Sequence, residues 1–133
     1  MLGNTERVQT LYGAFGRGDV AFILLNLAPS IDWISNCNSE DIPWGGARKG
    51  HPGALSFFGS LDANLNFEIF EPLQFAAEGA LVFVRGRTVA QVKSTGRKFD
   101  SEWVHVFTFA DDKVIRFQEF YDTAAIISAL SKK

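Results

Sequence analysis

The sequence predicts an α+β domain in which early helices lie on one face of a curved antiparallel sheet. Three observations carry this. Apolar residues recur at helical spacing before Asn64 and at a period of two after it. The pairs Glu78-Gly79, Thr95-Gly96 and Asp111-Asp112 divide the second half at hairpin-length breaks, which implies an antiparallel meander. A length of 133 residues allows one core, so residues 1–133 are expected to form a single domain.

Val8, Leu11, Tyr12 and Phe15 recur at i, i+3, i+4 and i+7, placing them on one face of a first helix that Asn4 or Thr5 can cap. Gly16 to Asp19 break it. A short apolar second helix is expected over Val20 to Leu27, with Asp19 as its cap and Pro29 as its terminator. Ile31 to Asn36 alternates as a strand, and Cys37 to Pro52 reads as a long loop with Pro43, Gly45, Gly46 and Gly50. Its polar part, Asn36 to Lys49, suits a mobile lid. His51 is expected to be exposed or capping where a third helix begins, and Ala54, Leu55, Phe57, Phe58 and Leu61 give that helix its apolar face.

Leu65, Phe67 and Ile69 then share a strand face, and Pro72 demands an edge position or a bulge. Ala80 to Val92, Phe99 to Ala110 and Lys113 to Tyr121 supply three further strands. Asp122 or Thr123 caps a last helix carrying Ile126, Ile127 and Leu130.

Composition removes several function classes. A net charge of −2 without runs of one sign argues against a nucleic-acid partner. Cys37 stands alone, which leaves no intramolecular disulfide and an ordinary thiol. His51 and His105 are the only histidines, so no zinc spacing can be built, and neither a metal nor another cofactor is expected. Met1 to Arg7 lacks the apolar core of a signal segment, and Val20 to Ala28 is too short to span a bilayer, which points to a cytoplasmic protein without a membrane partner. No nucleophile elbow or phosphate-binding glycine loop occurs.

The conspicuous entry in the composition is aromatic, with 13 Phe, 3 Trp and 2 Tyr. Strand alternation sorts them. Trp103, His105, Phe107 and Phe109 form one row, and Ile115, Phe117, Glu119 and Tyr121 form another, so His105 and Glu119 are polar exceptions in apolar rows. Leu81, Phe83, Arg85 and Arg87 share a third row. Buried charges are costly unless paired, so a pocket joining Arg85, His105 and Glu119 would satisfy them. Phe15, Phe57 and Phe58 should pack from the helices onto the sheet. Trp33 and Trp44 flank the glycine-rich loop, where each would cover the pocket mouth or close the core. The expected ligand is an apolar small molecule held by Trp33, Trp44, Phe58, Phe83, Arg85, Trp103, Phe117 and Tyr121.

The order of elements, the Gly18-Asp19 break and the closing Glu119-Phe120-Tyr121-Asp122-Thr123 segment resemble the nuclear transport factor 2-like superfamily, and within it the SnoaL-like and ketosteroid-isomerase-like proteins, from about Val8 to Leu130. The resemblance implies a cone-like sheet with helices on its concave face. In ketosteroid isomerases a tyrosine and a protonated acid hold an oxyanion while an aspartate moves the proton. Carried over, the tyrosine falls on Tyr12, the hydrogen-bonding acid near His105 and the base near Ser35. Serine is no base of comparable strength, so Glu119, His105 or Asp32 would have to take over. The Asp-Arg-Asp arrangement of limonene-epoxide-hydrolase-like relatives is matched only in part, by Arg85 and Glu119.

The expected function is therefore binding of a hydrophobic carbonyl compound and its isomerisation or cyclisation, with Tyr12 and His105 polarising an oxygen and Glu119 transferring the proton. The alternative is a non-catalytic binding or dimerisation module in which Glu119 and Arg85 only organise the sheet. Val82, Val84, Val104 and Val106 are expected on the convex face, where they would bury a homodimer interface like the sheet-to-sheet pairing that the resemblance implies.

Overall fold

The computed structural model describes residues 3–132. Its elements run α1 (Asn4–Gly16), α2 (Val20–Leu25), β1 (Leu27–Ser35), β2 (Gly46–Lys49), α3 (Gly50–Asn64), β3 (Leu65–Glu78), β4 (Leu81–Val92), β5 (Lys98–Ala110), β6 (Lys113–Tyr121) and α4 (Thr123–Leu130). The six strands form one open sheet in the order β2-β1-β6-β5-β4-β3. The meander from β3 to β6 is antiparallel, as its tight turns require. β1 enters alongside β6 in parallel, so the sheet is mixed. Helices α1 to α3 cover one face of this α+β sheet: α3 packs on β1 and β2, and α1 on β3 and β4.

Val8, Leu11 and Ala14 of α1 are buried, with Tyr12 and Phe15 packed against the same core. The cap lies one residue earlier than the sequence suggests. Gly3 occupies it, and its N–H donates to Glu6 Oε1 at 3.2 Å, a bond available only when glutamate falls on the third helical position. Asp19 caps α2 as expected, its carboxylate accepting from the Phe22 N–H at 3.1 Å. Asp122 does the same for α4, accepting from Ala125 N–H at 3.0 Å.

Pro29 does not end α2. That helix stops at Leu25, and Pro29 sits inside β1, between Leu27 and Asp32, where the ladder to β6 is irregular and a missing N–H costs no regular bond. The expected long loop is also shorter. Gly46–Lys49 pairs with β1 as β2, and Gly50, at φ +72°, reverses the chain into α3, with Pro52 tolerated in the first turn. Ile42 and Trp44, both buried, pin the remaining segment to the core, which is the opposite of a mobile lid. His51 is neither free nor a cap. Its Nε2 lies 2.8 Å from the Leu27 carbonyl and, as donor, ties α3 to β1.

Pro72 fulfils both expectations at once, lying on the edge strand β3 beside a register shift. Two further irregularities override simple alternation. A shift between Phe67 and Ile69 turns Phe70 inward to pack against the core, with the more exposed Phe67 ring beside it. Another between Thr108 and Phe109 seats Val114 inside and leaves Ile115 exposed, so Ile115 does not share the row of Phe117 and Glu119. No helix among the described residues is long and apolar enough to cross a membrane.

Candidate active site

Ladder register decides which side chains meet over the sheet. Ser35 on β1 lies beside Glu119 on β6, Glu119 opposite His105 on β5, and His105 opposite Val84 on β4. Because these partners share one face, the row that looks inward from β4 is Val82, Val84, Gly86, Thr88, Ala90 and Val92, all of them small. The larger rings of β5 and β6 fill the space so created.

Gly86 has the tightest fit. A methyl group there would lie 2.2 Å from Trp103 Cζ2 and 2.7 Å from the Glu71 carbonyl oxygen. The Trp103 ring rests on bare backbone, its Nε1 donating to Thr88 Oγ1 at 2.8 Å. In turn Trp103 stacks on the His105 imidazole, with ring centres 3.9 Å apart and planes 15° from parallel. Glycine on β4 thereby fixes the position of the histidine on β5.

From His105 a run of polar contacts crosses the core in both directions. Tyr12 Oη lies 2.6 Å from His105 Nδ1, and His105 Nε2 lies 3.4 Å from Glu119 Oε1. Ser35 Oγ donates to Glu119 Oε2 at 2.6 Å and lies 2.7 Å from the Tyr121 hydroxyl. Ser35, His105 and Glu119 are all buried, so these bonds stand in for the water each group loses. One assignment fits every contact: Tyr12 donates to Nδ1, which leaves the proton on Nε2 beside the Glu119 carboxylate, and Tyr121 donates to Ser35, which donates to Glu119. In the other arrangement Nδ1–H donates to Tyr12 and frees the phenol proton for a ligand.

Burial, reinforced by the negative Glu119, holds the Tyr12 phenol well above its ordinary pKa, so it stays a neutral proton donor rather than a phenolate. The Tyr121 phenol is likewise raised, chiefly by burial, with its bond to Ser35 working in the opposite direction.

The run ends in space. An inner cavity of about 60 Å³ is walled by Tyr12, Trp33, Phe57, Phe58, Phe107 and Phe117, with His105 and Glu119 as its polar end. A second space of about 50 Å³ lies against Trp103, Tyr121, His105 and Glu119, and a cleft of about 790 Å³ opens among α1, α3 and β3. Leu61 and Phe70 border all three. The indole of Trp33 stacks on Phe117 at 4.0 Å, and its Nε1 is buried without a hydrogen-bond partner among the described residues.

Of the residues singled out in the sequence, the structure brings Tyr12, His105 and Glu119 together and places Trp33, Phe58, Trp103, Phe117 and Tyr121 around them. Three expected ligand contacts are absent. Arg85 and Phe83 share a row as expected, but that row points outward: Arg85 lies 3.6 Å from Glu102 and binds Gln74, and Phe83 is 38% exposed. Trp44 is core and does not line the cavity, and its carbonyl accepts from Arg48. Asp32 pairs at the surface with Lys49 at 2.9 Å and reaches no cavity. Val82 and Val84 face inward and are fully buried, so of the four valines only Val104 and Val106 lie on the convex side. Sequence reasoning missed Gly86, Leu61 and Phe70, and read Ser35 only as a failed base. Among the described residues no three His, Cys, Asp or Glu side chains are grouped to hold a metal.

An open mixed sheet covered by helices on one face is the architecture of the nuclear transport factor 2-like superfamily. The chain belongs to the SnoaL-like domain family, whose model matches residues 8–117. An NTF2-like protein from Burkholderia xenovorans LB400 is 31% identical, with a TM-score of 0.86 over 96% of this chain and 95% of its own. One of unknown function from Burkholderia pseudomallei K96243 is 26% identical, with a TM-score of 0.89 over 98% and 99% of the two chains. TerC, co-crystallised with polyporic acid, is 25% identical, with a TM-score of 0.85 over 96% and 97%. No curated protein matches the chain.

Proposed function

We propose that the protein binds an apolar carbonyl compound, its carbonyl end in the aromatic cavity and the rest of its skeleton in the adjoining outer cleft, and isomerises or cyclises it by acid–base proton transfer. The observation that carries this reading is the Tyr12–His105–Glu119 run lining that cavity, with contacts of 2.6 and 3.4 Å. In the proposed chemistry the carbonyl oxygen accepts from the Tyr12 phenol while His105 Nδ1–H donates to the same phenol oxygen. Glu119 takes the proton from carbon beside the carbonyl and returns it elsewhere on the skeleton. Ser35 fixes the second carboxylate oxygen, so it positions the base that it cannot itself supply. TerC's co-crystallisation with polyporic acid supports a small organic molecule as ligand. Incubation of a panel of apolar ketones with the protein in D₂O, followed by mass spectrometry, tests the reading: protein-dependent deuterium uptake is expected for at least one member.

A binding module without turnover is favoured by one observation. Tyr12 and Glu119 already have partners, which suits a fully satisfied structural network as well as an active site. Calorimetric titration beside the exchange assay separates the two, since heat of binding without deuterium uptake would select the module.

Homodimerisation through the convex sheet face is part of the same proposal. Phe83, Val104 and Phe120 are exposed there at 38%, 39% and 39%. Light scattering at micromolar concentration is expected to give twice the 14.7 kDa chain mass. A monomer would count against it. A cytoplasmic location is also proposed, because a single cysteine suits a reducing compartment.

A further inference from the structure

The lining of the cavity carries a charge pattern that the reaction alone does not require. Among the described residues no Lys or Arg borders the inner cavity, the space beside Trp103 or the outer cleft. The ionisable carboxylates that do are Glu119, buried against the inner cavity, and Asp62, exposed along the outer cleft. Two cations approach lining residues from outside, and both are engaged: Lys93 donates to the Asp62 carbonyl at 2.7 Å, and Arg48, 6.0 Å from the Phe57 ring centre, is committed to the carbonyls of Trp44 and Gly45 at 2.9 and 3.0 Å. His105 does not reverse the balance. If it is neutral the polar end is negative, and if it is protonated it only cancels Glu119, so in neither state does the end become positive.

From this we infer that the site selects against anionic ligands and takes neutral ones bearing a hydrogen-bond acceptor. A carboxylate drawn into these aromatic walls would lose its hydration without gaining a cationic partner, and it would lie beside Glu119 in a medium that screens charge poorly. A neutral carbonyl of the same shape loses far less on entry and is met by the Tyr12 phenol. The substrate class is thereby narrowed to uncharged ketones, quinones, esters or lactones, and an acid would enter only in masked form. This rests on the ligand-binding reading above, but its test is independent of turnover.

The probes are 2-acetonaphthone and 2-naphthoate, which present the same ring system with a neutral or an ionised acceptor at about pH 8. Tryptophan fluorescence titration of the full chain should show the ketone binding at least about tenfold more tightly. Leu61→Lys, which puts a cation on the residue bordering all three spaces, should reduce or invert that ratio, and Glu119→Gln, which removes the negative charge without changing shape, should reduce it. Melting curves identify any variant that fails to fold, and the other then decides. Equal or tighter binding of the naphthoate to the wild type, or a ratio unchanged in the folded variants, would overturn the charge selection while leaving the cavity reading intact. Failure of both probes to bind at millimolar concentration would overturn both.

Discussion

Glu119→Gln is expected to slow protein-dependent deuterium exchange of a ketone by about 10²- to 10⁴-fold, the usual contribution of a positioned general base. The substitution keeps shape and volume, and the new amide oxygen can still accept from Ser35, which lies 2.6 Å from Glu119 Oε2. What it removes is the proton acceptor. Ligand affinity should fall far less than the rate, because the aromatic walls and the Tyr12 phenol are untouched. Mass-spectrometric exchange rates and calorimetric affinities, measured on the same preparations, give the two quantities. Equal exchange by the variant and the wild type would remove Glu119 from the mechanism.

Gly86→Ala is expected to destabilise the fold by about 3 kcal/mol or more, at the upper end of what an added methyl costs in a packed core. Its new carbon would meet Trp103 at 2.2 Å and the Glu71 carbonyl oxygen at 2.7 Å, and neither has room to retreat. The ring is wedged between this backbone and the His105 imidazole and is tethered to Thr88 at 2.8 Å, while the carbonyl belongs to the edge strand. Urea denaturation measures the loss, and near-ultraviolet circular dichroism should report a displaced indole. Gly59 serves as the contrast. It lies within α3 with open space around it, so Gly59→Ala should stabilise by about 0.5–1 kcal/mol. Similar effects at both positions would show that the Trp103 contact is not as tight as described.

Gly86 also illustrates what a sequence withholds. Alternation correctly grouped Phe83 with Arg85, but it does not say which of two rows faces the core. On β4 both rows contain apolar residues, Leu81 and Phe83 in one, Val82 and Val84 in the other. The deciding information is non-local: His105 stands opposite Val84, so the valines share its face and Arg85 is sent to solvent. On β5 the difficulty did not arise, because Trp103, Phe107 and Phe109 outweigh anything between them, and His105 was legible as the odd member of a buried row. Glu119 was legible for the same reason.

Bulges account for the remaining losses. A period-two reading runs through Phe67 and Ile69 on β3, or through Val114 and Arg116 on β6, without noticing the extra residue, and the side chains on the two sides of it then fall out of phase. Phe70 escapes such a reading on this account, and Ile115 falls inside in it. Ser35 was legible as a position but not as a partner, since its bonds to Glu119 and Tyr121 depend on β1 running parallel to β6, a pairing that no short turn announces.

The central claim, that Tyr12, His105 and Glu119 act together on a ligand held in the aromatic cavity, is tested most directly by a crystal structure with an exchanging ketone bound. The account predicts the carbonyl oxygen within hydrogen-bond distance, roughly 2.6–3.2 Å, of the Tyr12 hydroxyl, with the carbon that exchanges its proton facing Glu119. A ligand lying instead in the outer cleft near Asp62, its carbonyl turned away from Tyr12 and Glu119, would contradict it.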